Sequence, residues 1–410
     1  MFKFKYYFII AILLLLTQCK KHDAGPMTLT GLSSSTVKYG SVLTISGQNI
    51  NPAVLYTIVL SDSLKEYHLK EMSASKTGIQ VEIYNQENPN QLLQLTQFRV
   101  GIRTSDPNST TLWCKQTATL VSSWNRVADF PGSSRYKSSI FSLKGNLYVG
   151  GGAAGIAFND FWKFDPAANS WTRLADFPGV RCYPRAFAND ENGYLGAGYS
   201  SDNSSKVQLY DYYKYNTQSN TWTQIPSYPD NVGSFYVGYS VTVNGRPFVS
   251  LSNTTLTMRE LVNDTWNSLT TIQDMTDCPA SGVFAIGKKF YVVVGNRINN
   301  SVSNSTYEYN TENNAWTQKA SFPGPARFAP AFFSLGNYGY YGCGMATDLT
   351  QYQDMWRYDP SADKWIRIDD FPAGVRSHLV SSSDGHYGFA GLGIVWNASY
   401  KNDFWQYDPE

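Results

Sequence analysis

The sequence predicts an all-β protein in two parts, a small N-terminal β-domain followed by a longer region of six repeats. Three observations carry this. Aromatic residues make up 15% of the 410-residue chain, with 29 Tyr, 22 Phe and 11 Trp, and such side chains fit half-buried pleated surfaces. There are 32 Gly to supply tight turns. Tryptophans recur at positions 124, 171, 222, 266, 316 and 365, a spacing of 44 to 51 residues. Charged residues are only 16%, and 33 basic residues nearly balance 32 acidic ones. No basic surplus argues for nucleic acid, and no acidic tail is present. Four His leave little material for a His-rich metal site.

The chain opens with Lys3 and Lys5 before an apolar run from Tyr6 to Leu16. That run is too short to span a bilayer, which needs about 20 residues. It reads as a secretory signal over residues 1–18. Leu16-Thr17-Gln18-Cys19 resembles a bacterial lipobox, which implies lipidation of Cys19, with residues 19–26 as a tether. Gln18 departs from the small residue usual before the Cys. The start resembles surface lipoproteins of the Bacteroidetes, which implies export and lipid anchoring to the cell envelope, at the outer membrane. Cys114, Cys182, Cys278 and Cys343 are far apart with no C-x-x-C spacing. Buried free thiols are expected rather than a disulfide framework, and no zinc motif is present.

Residues 27–122 carry strand-like runs at Val42–Ile45, Tyr56–Leu60, Gln80–Tyr84 and Phe98–Ile102, separated by turn-forming residues. The stretch Tyr39-Gly40-Ser41-Val42-Leu43-Thr44-Ile45-Ser46-Gly47 resembles the start of an IPT/TIG domain. That resemblance implies an immunoglobulin-like β-sandwich acting as a spacer.

From residue 123 to 410 the repeat has fixed parts. Phe130-Pro131-Gly132 is echoed at Phe177, Phe322 and Phe371. A strand ending in glycines follows, as in Leu147-Tyr148-Val149-Gly150-Gly151-Gly152. Then comes Asn159-Asp160-Phe161-Trp162, echoed at Asp354-Met355-Trp356 and Asn402-Asp403-Phe404-Trp405, and the spaced Trp closes each copy. This order of di-Gly, Tyr and Trp resembles kelch repeats, each of which folds as one four-stranded propeller blade. The resemblance implies a six-bladed kelch β-propeller. The third and fourth copies are degenerate: Phe248-Val249-Ser250-Leu251-Ser252 lacks the glycines and Val292-Val293-Val294-Gly295 keeps one. The last copy stops before its Trp, so the strand at Trp124 is expected to complete it, because an open edge invites aggregation.

With strands named a to d from the axis outward, the a–b and c–d turns share one face. The b–c loops and d–a connections share the other. The b–c loops are longer and vary between copies, so the functional face is expected there. Arg135, Arg181, Arg327 and Arg376 each precede an innermost strand and are candidates for an axial ring that binds carboxylates, phosphates or sugar hydroxyls. Trp396, in a b–c loop where the repeat demands no Trp, and Tyr400 are candidate stacking platforms for a sugar ring. Tyr199 and Arg297 occupy comparable loops.

The expected function is binding of a carbohydrate, acidic if the arginines line the mouth, or of a partner protein. No catalytic residue and no cofactor is expected. Galactose oxidase-like propellers need two Tyr, two His and a modified Cys around copper. Here the propeller holds only His378 and His386, on opposite faces, which excludes that chemistry. The alternative is a sugar isomerase resembling the six-bladed sialic acid mutarotases (N-acetylneuraminate epimerases), which use a Glu with an Arg. Arg259-Glu260 is the one adjacent Arg–Glu pair, on a strand of the degenerate third copy. A purely structural scaffold is the remaining alternative.

Overall fold

The computed structural model describes residues 25–62, 64–88, 93–104, 106, 108–203, 206–229, 238–251, 258–269, 280–295, 303–397 and 399–409. Among these residues every regular element is a strand. The leader, Cys19, Cys278 and Arg297 lie outside the described residues.

The N-terminal region forms two sheets. One orders Thr28–Leu32, Val42–Gln48, Gly78–Glu82 and Ser73–Ala74. The other orders Thr36–Lys38, Leu112–Val121, Gln97–Thr104, Tyr56–Ser61 and Glu66–Lys70. Alternating apolar residues such as Leu43, Ile45, Ile58, Val81 and Val100 share one buried core, as period-two patterning requires. Ile366 of the propeller belongs to the same core.

Six four-stranded sheets follow, joined as a closed ring through their innermost strands. Blade 1 comprises Ser139–Leu143, Asn146–Gly150, Phe161–Asp165 and Ser170–Arg173. Blade 2 runs Arg185–Ala188 to Thr221–Ile225, blade 3 Tyr239–Val243 to Thr265–Ser268, and blade 4 Ala280–Ile286 to Ala315–Lys319. Blade 5 runs Ala331–Leu335 to Lys364–Ile368. Blade 6 takes Val380–Ser383, Gly388–Gly391 and Phe404–Tyr407 from the chain end, and Trp124–Val127 pairs with the last of these as its outer strand.

Two repeat features have direct physical causes. The spaced Trp ties neighbouring blades: the indole N–H of Trp171 donates to Ala128 O at 2.8 Å, that of Trp222 to Ala175 O at 3.0 Å, and that of Trp365 to Ala320 O at 3.0 Å. A glycine just after the second strand turns left-handed where the next connection crosses it. Gly393 (φ 87°) donates its N–H to Arg135 O at 2.8 Å, and a Cβ there would meet Ser377 O at 2.6 Å.

The innermost strands leave edge groups unpaired by backbone, and hydroxyls satisfy several of them. Ser240 Oγ donates to Ala186 O at 2.8 Å, and Thr242 Oγ1 to Ala188 O at 2.6 Å. Ser381 Oγ donates to Phe332 O at 2.8 Å and accepts from Phe332 N at 2.7 Å. They line an axial cavity of about 430 Å³ that reaches the a–b turn at Asp384-Gly385.

The N-terminal domain is docked on blade 5 and the end of the blade 6 strand Phe404–Tyr407. Arg357 pairs with Glu82 and donates to Gly40 O at 3.1 Å. Lys364 lies over the Tyr84 ring at 4.7 Å, and Lys38 meets Asp408 at 2.9 Å.

Candidate functional site at the axial mouth

Arg135, Arg181, Arg327 and Arg376 do not present guanidinium groups to solvent; each is at most 2% exposed. Each grips the Asp that precedes strand c of its own blade. The Nη1 contacts are Arg135–Asp160 at 2.5 Å, Arg181–Asp211 at 3.1 Å, Arg327–Asp354 at 2.6 Å and Arg376–Asp403 at 2.8 Å. Nη2 meets the second carboxylate oxygen in every case. Nη1 also donates to the carbonyl of Gly151, Ala197, Cys343 or Leu392, at 2.9–3.1 Å. Asp160, Asp354 and Asp403 accept in addition the indole N–H of Trp162, Trp356 and Trp405. The expected arginine ring is therefore a set of internal braces, because a desolvated guanidinium needs a carboxylate and carbonyls around it. In blades 3 and 4 the sequence has Thr257 and Ser305 at the Asp position.

The residues two positions after each Arg are the ones that meet at the mouth. Lys137, Tyr183, Ala329 and His378 all take left-handed backbone, with φ of 58°, 53°, 50° and 56°. Such strain in non-glycine residues is held only where the surroundings fix it. Here the fixing bonds are Tyr183 N to Lys137 O at 2.8 Å and His378 N to Ala329 O at 2.9 Å.

Around that ring the side chains form one network. A hydrogen bond of 2.9 Å joins Tyr183 OH and His378 Nε2. His378 Nδ1 lies 3.2 Å from Ser377 Oγ, which accepts from Gln351 Nε2 at 2.7 Å. Tyr136 OH donates to Asp202 Oδ2 at 2.8 Å, and Lys137 Nζ pairs with Asp202 Oδ1 at 2.6 Å. The Lys137 ammonium also sits over the rings of Tyr136 and Tyr183, at 4.3 and 4.8 Å. Tyr400 stacks on Tyr136 with centroids 5.1 Å apart.

Electrostatics follow burial. Burial, with Lys137 beside it, pushes the His378 imidazole down to about 3, so it is neutral at ordinary pH. The Tyr136 hydroxyl is pushed up by burial first and then by its bond to the Asp202 carboxylate. Burial raises Tyr183 too. Among the described residues the mouth thus brings together neutral phenols, a neutral imidazole, the Lys137–Asp202 ion pair and the Arg185 guanidinium, which donates to Tyr183 O at 3.2 Å.

Of the sequence candidates, Trp396 and Tyr400 come together on a short hairpin in which Ile394 pairs with Tyr400 and Val395 with Ser399. Trp396 N donates to Gln351 Oε1 at 2.6 Å, and its side chain is exposed. Tyr199 is buried in an apolar cluster of blade 2, beneath Lys206, and offers no platform. Arg259 and Glu260 do not converge. Glu260 is held by Arg246 at 2.6 Å, while Arg259 donates to Ser268 Oγ at 2.6 Å. Cys114, Cys182 and Cys343 are buried free thiols. Burial raises Cys182 to about 11, which leaves it unreactive. No group of metal-ligating side chains converges among the described residues.

Sequence reasoning passed over Tyr136, Lys137, Tyr183, Asp202 and Gln351, and used His378 only to exclude copper. A signal was present: the Arg is constant in four copies while the residue two places on varies as Lys, Tyr, Ala and His.

Residues 134–178 match the Kelch motif. The solved structure of YjhT resembles the chain with a TM-score of 0.57 and 16% identity, covering 68% of this chain and 95% of that one. No curated protein matches the sequence. Motif, ring and structural likeness together define a kelch-type β-propeller.

Proposed function

We propose that the protein is an envelope-anchored binding protein whose propeller mouth takes a neutral saccharide. The observation that carries this reading is the Tyr400–Tyr136 stack beside exposed Trp396, adjoining the polar groups of Asp202, Gln351 and His378. Aromatic faces accept the C–H faces of a pyranose, and a few fixed polar groups orient its hydroxyls. The acidic-sugar preference loses the support of the four arginines, which are consumed by aspartates, and of Lys137, which is paired with Asp202. Titration calorimetry with neutral oligosaccharides tests the reading. Tyr400→Ala is expected to weaken binding about tenfold or more, as loss of a stacking ring does. Undiminished affinity contradicts it.

A second reading, anomer exchange of a sugar at the same mouth, is favoured by one observation. The Tyr183 hydroxyl and His378 Nε2 share a hydrogen bond of 2.9 Å, which sets a phenol and an imidazole side by side as a proton donor and acceptor. Saturation-transfer NMR between anomers tests it: acceleration lost in His378→Gln supports it, and an uncatalysed rate contradicts it. In either case Cys19 is the lipid anchor and the N-terminal domain an immunoglobulin-like spacer. Loss of labelled palmitate incorporation in Cys19→Ser checks the anchor.

A further inference from the structure

Among the described residues of the propeller eight large apolar side chains are exposed, and six of them stand on the mouth face: Ile156, Val180, Val207, Leu349, Val375 and Trp396. Only Val262 and Tyr387 lie at the opposite turns. Single exposed apolar residues are ordinary; their segregation to one face is not. Four of them occupy b–c loops, one on each of blades 5, 6, 1 and 2: Leu349, Trp396, Ile156 and Val207. Ile156 is 68% exposed and Val207 61%.

These tips are held by closed turns. Ala154 N donates to Ile156 O at 2.9 Å, Ser200 N to Val207 O at 2.9 Å, and Leu349 N to Ala346 O at 3.1 Å. The four blades that carry them are also the four with arginine braces. A rigid arc therefore holds apolar side chains out in water around a polar, aromatic mouth.

We propose that this arc is a membrane-contacting rim, and that the saccharide taken by the mouth is the headgroup of a neutral glycolipid; the inference rests on the saccharide reading of the mouth. Three features favour a lipid surface over a protein partner. Each b–c tip offers one apolar side chain on its own loop rather than the contiguous packed centre that a protein interface needs. A fluid bilayer accepts such isolated insertions without shape matching. Trp396 is a ring of the amphipathic kind that settles at headgroup level. The flanking charges, Lys206, Asp348 and Lys401, are few and mixed in sign, so an anionic lipid site of the polybasic kind is not what the rim provides. An amphipathic ligand fits both parts, sugar in the mouth and apolar body beside the tips.

The test is vesicle flotation of the chain starting at Lys20, which removes the leader and Cys19. Phosphatidylcholine vesicles are compared with the same vesicles carrying monogalactosyl or monoglucosyl diacylglycerol. The wild type is expected to float with both kinds and about tenfold more tightly with a sugar-bearing one. Ile156→Ser with Leu349→Ser is expected to weaken flotation on both about a hundredfold, since each lost side chain forfeits about tenfold. Tyr400→Ala is expected to remove only the increment due to sugar. Absence of wild-type flotation, or undiminished flotation of the double variant, overturns the rim. If free saccharide still binds in that case, the mouth reading stands and this inference alone falls. Flotation equal on all vesicles and insensitive to Tyr400→Ala overturns the headgroup assignment. A concentration-dependent dimer in sedimentation, abolished by the double variant and accompanied by no flotation, gives the rim to a second copy and also overturns it.

Discussion

Arg327 is fully buried, and its guanidinium meets Asp354 and Cys343 O on one side and lies between the rings of Phe322 and Tyr352 on the others. Arg327→Ala leaves the Asp354 carboxylate without its counter-ion, which costs about 3–5 kcal/mol. Urea unfolding is expected to show that loss, with saccharide affinity of the folded fraction unchanged. The aspartates give the braces an acid limit. Burial alone raises Asp160, Asp354 and Asp403, but the hydrogen bonds and charge of their arginines outweigh it and hold all three below the usual value of 3.8. Their stabilisation is present above that value and is lost as pH falls through the lower folded-state values. His378 acts over a different window. The folded imidazole is held near 3 against an ordinary 6.5, so the unfolded chain binds the proton first. Stability is therefore expected to decline as pH falls from 6.5 toward 3, and His378→Gln to flatten the upper part of that slope in melting curves. The four arginines were legible as a repeat feature, but their direction was not. Their partners stand 25 to 30 residues downstream. The clue lay in the aspartates, which recur in the same four copies and give way to Thr257 and Ser305 in the other two.

At the scale of elements, the evenly spaced tryptophans were legible because Trp124, Trp171, Trp222, Trp266 and Trp365 share one duty, an indole N–H bond to a carbonyl just after the preceding blade, which favours both residue and interval. The glycines after the second strand were legible for a similar reason, since a Cβ at Gly393 meets backbone. The docking of the N-terminal domain was not. Glu82 and Arg357 are 275 residues apart, and nothing local to either marks the pairing. Burial raises the Glu82 carboxyl even with Arg357 against it, so the contact is well desolvated. Arg357→Ala is expected to uncouple the two parts. Scanning calorimetry checks this: one cooperative transition in the wild type should separate into two, and an unchanged single transition contradicts the coupling.

Across the whole molecule, the constant residues build the ring and the variable ones furnish its mouth. The repeat singled out Trp396 by subtraction, because no rule of the repeat demands a Trp in that loop, and Tyr400 lies nearby on the same hairpin. It could not reveal that Tyr136, Tyr183, His378 and Lys137 converge, since they come from three blades and only closure of the ring brings them within contact. That convergence surrounds the Tyr400–Tyr136 stack on which the central claim rests, a mouth for neutral saccharides. The direct measurement is a thermal-shift panel of neutral, sialic and uronic saccharides on the chain starting at Lys20, run beside Tyr400→Ala. A ligand that binds only the native state raises the midpoint. The account predicts a rise with neutral saccharides that disappears in Tyr400→Ala. A rise confined to acidic saccharides, or one that survives unchanged in the variant, contradicts it.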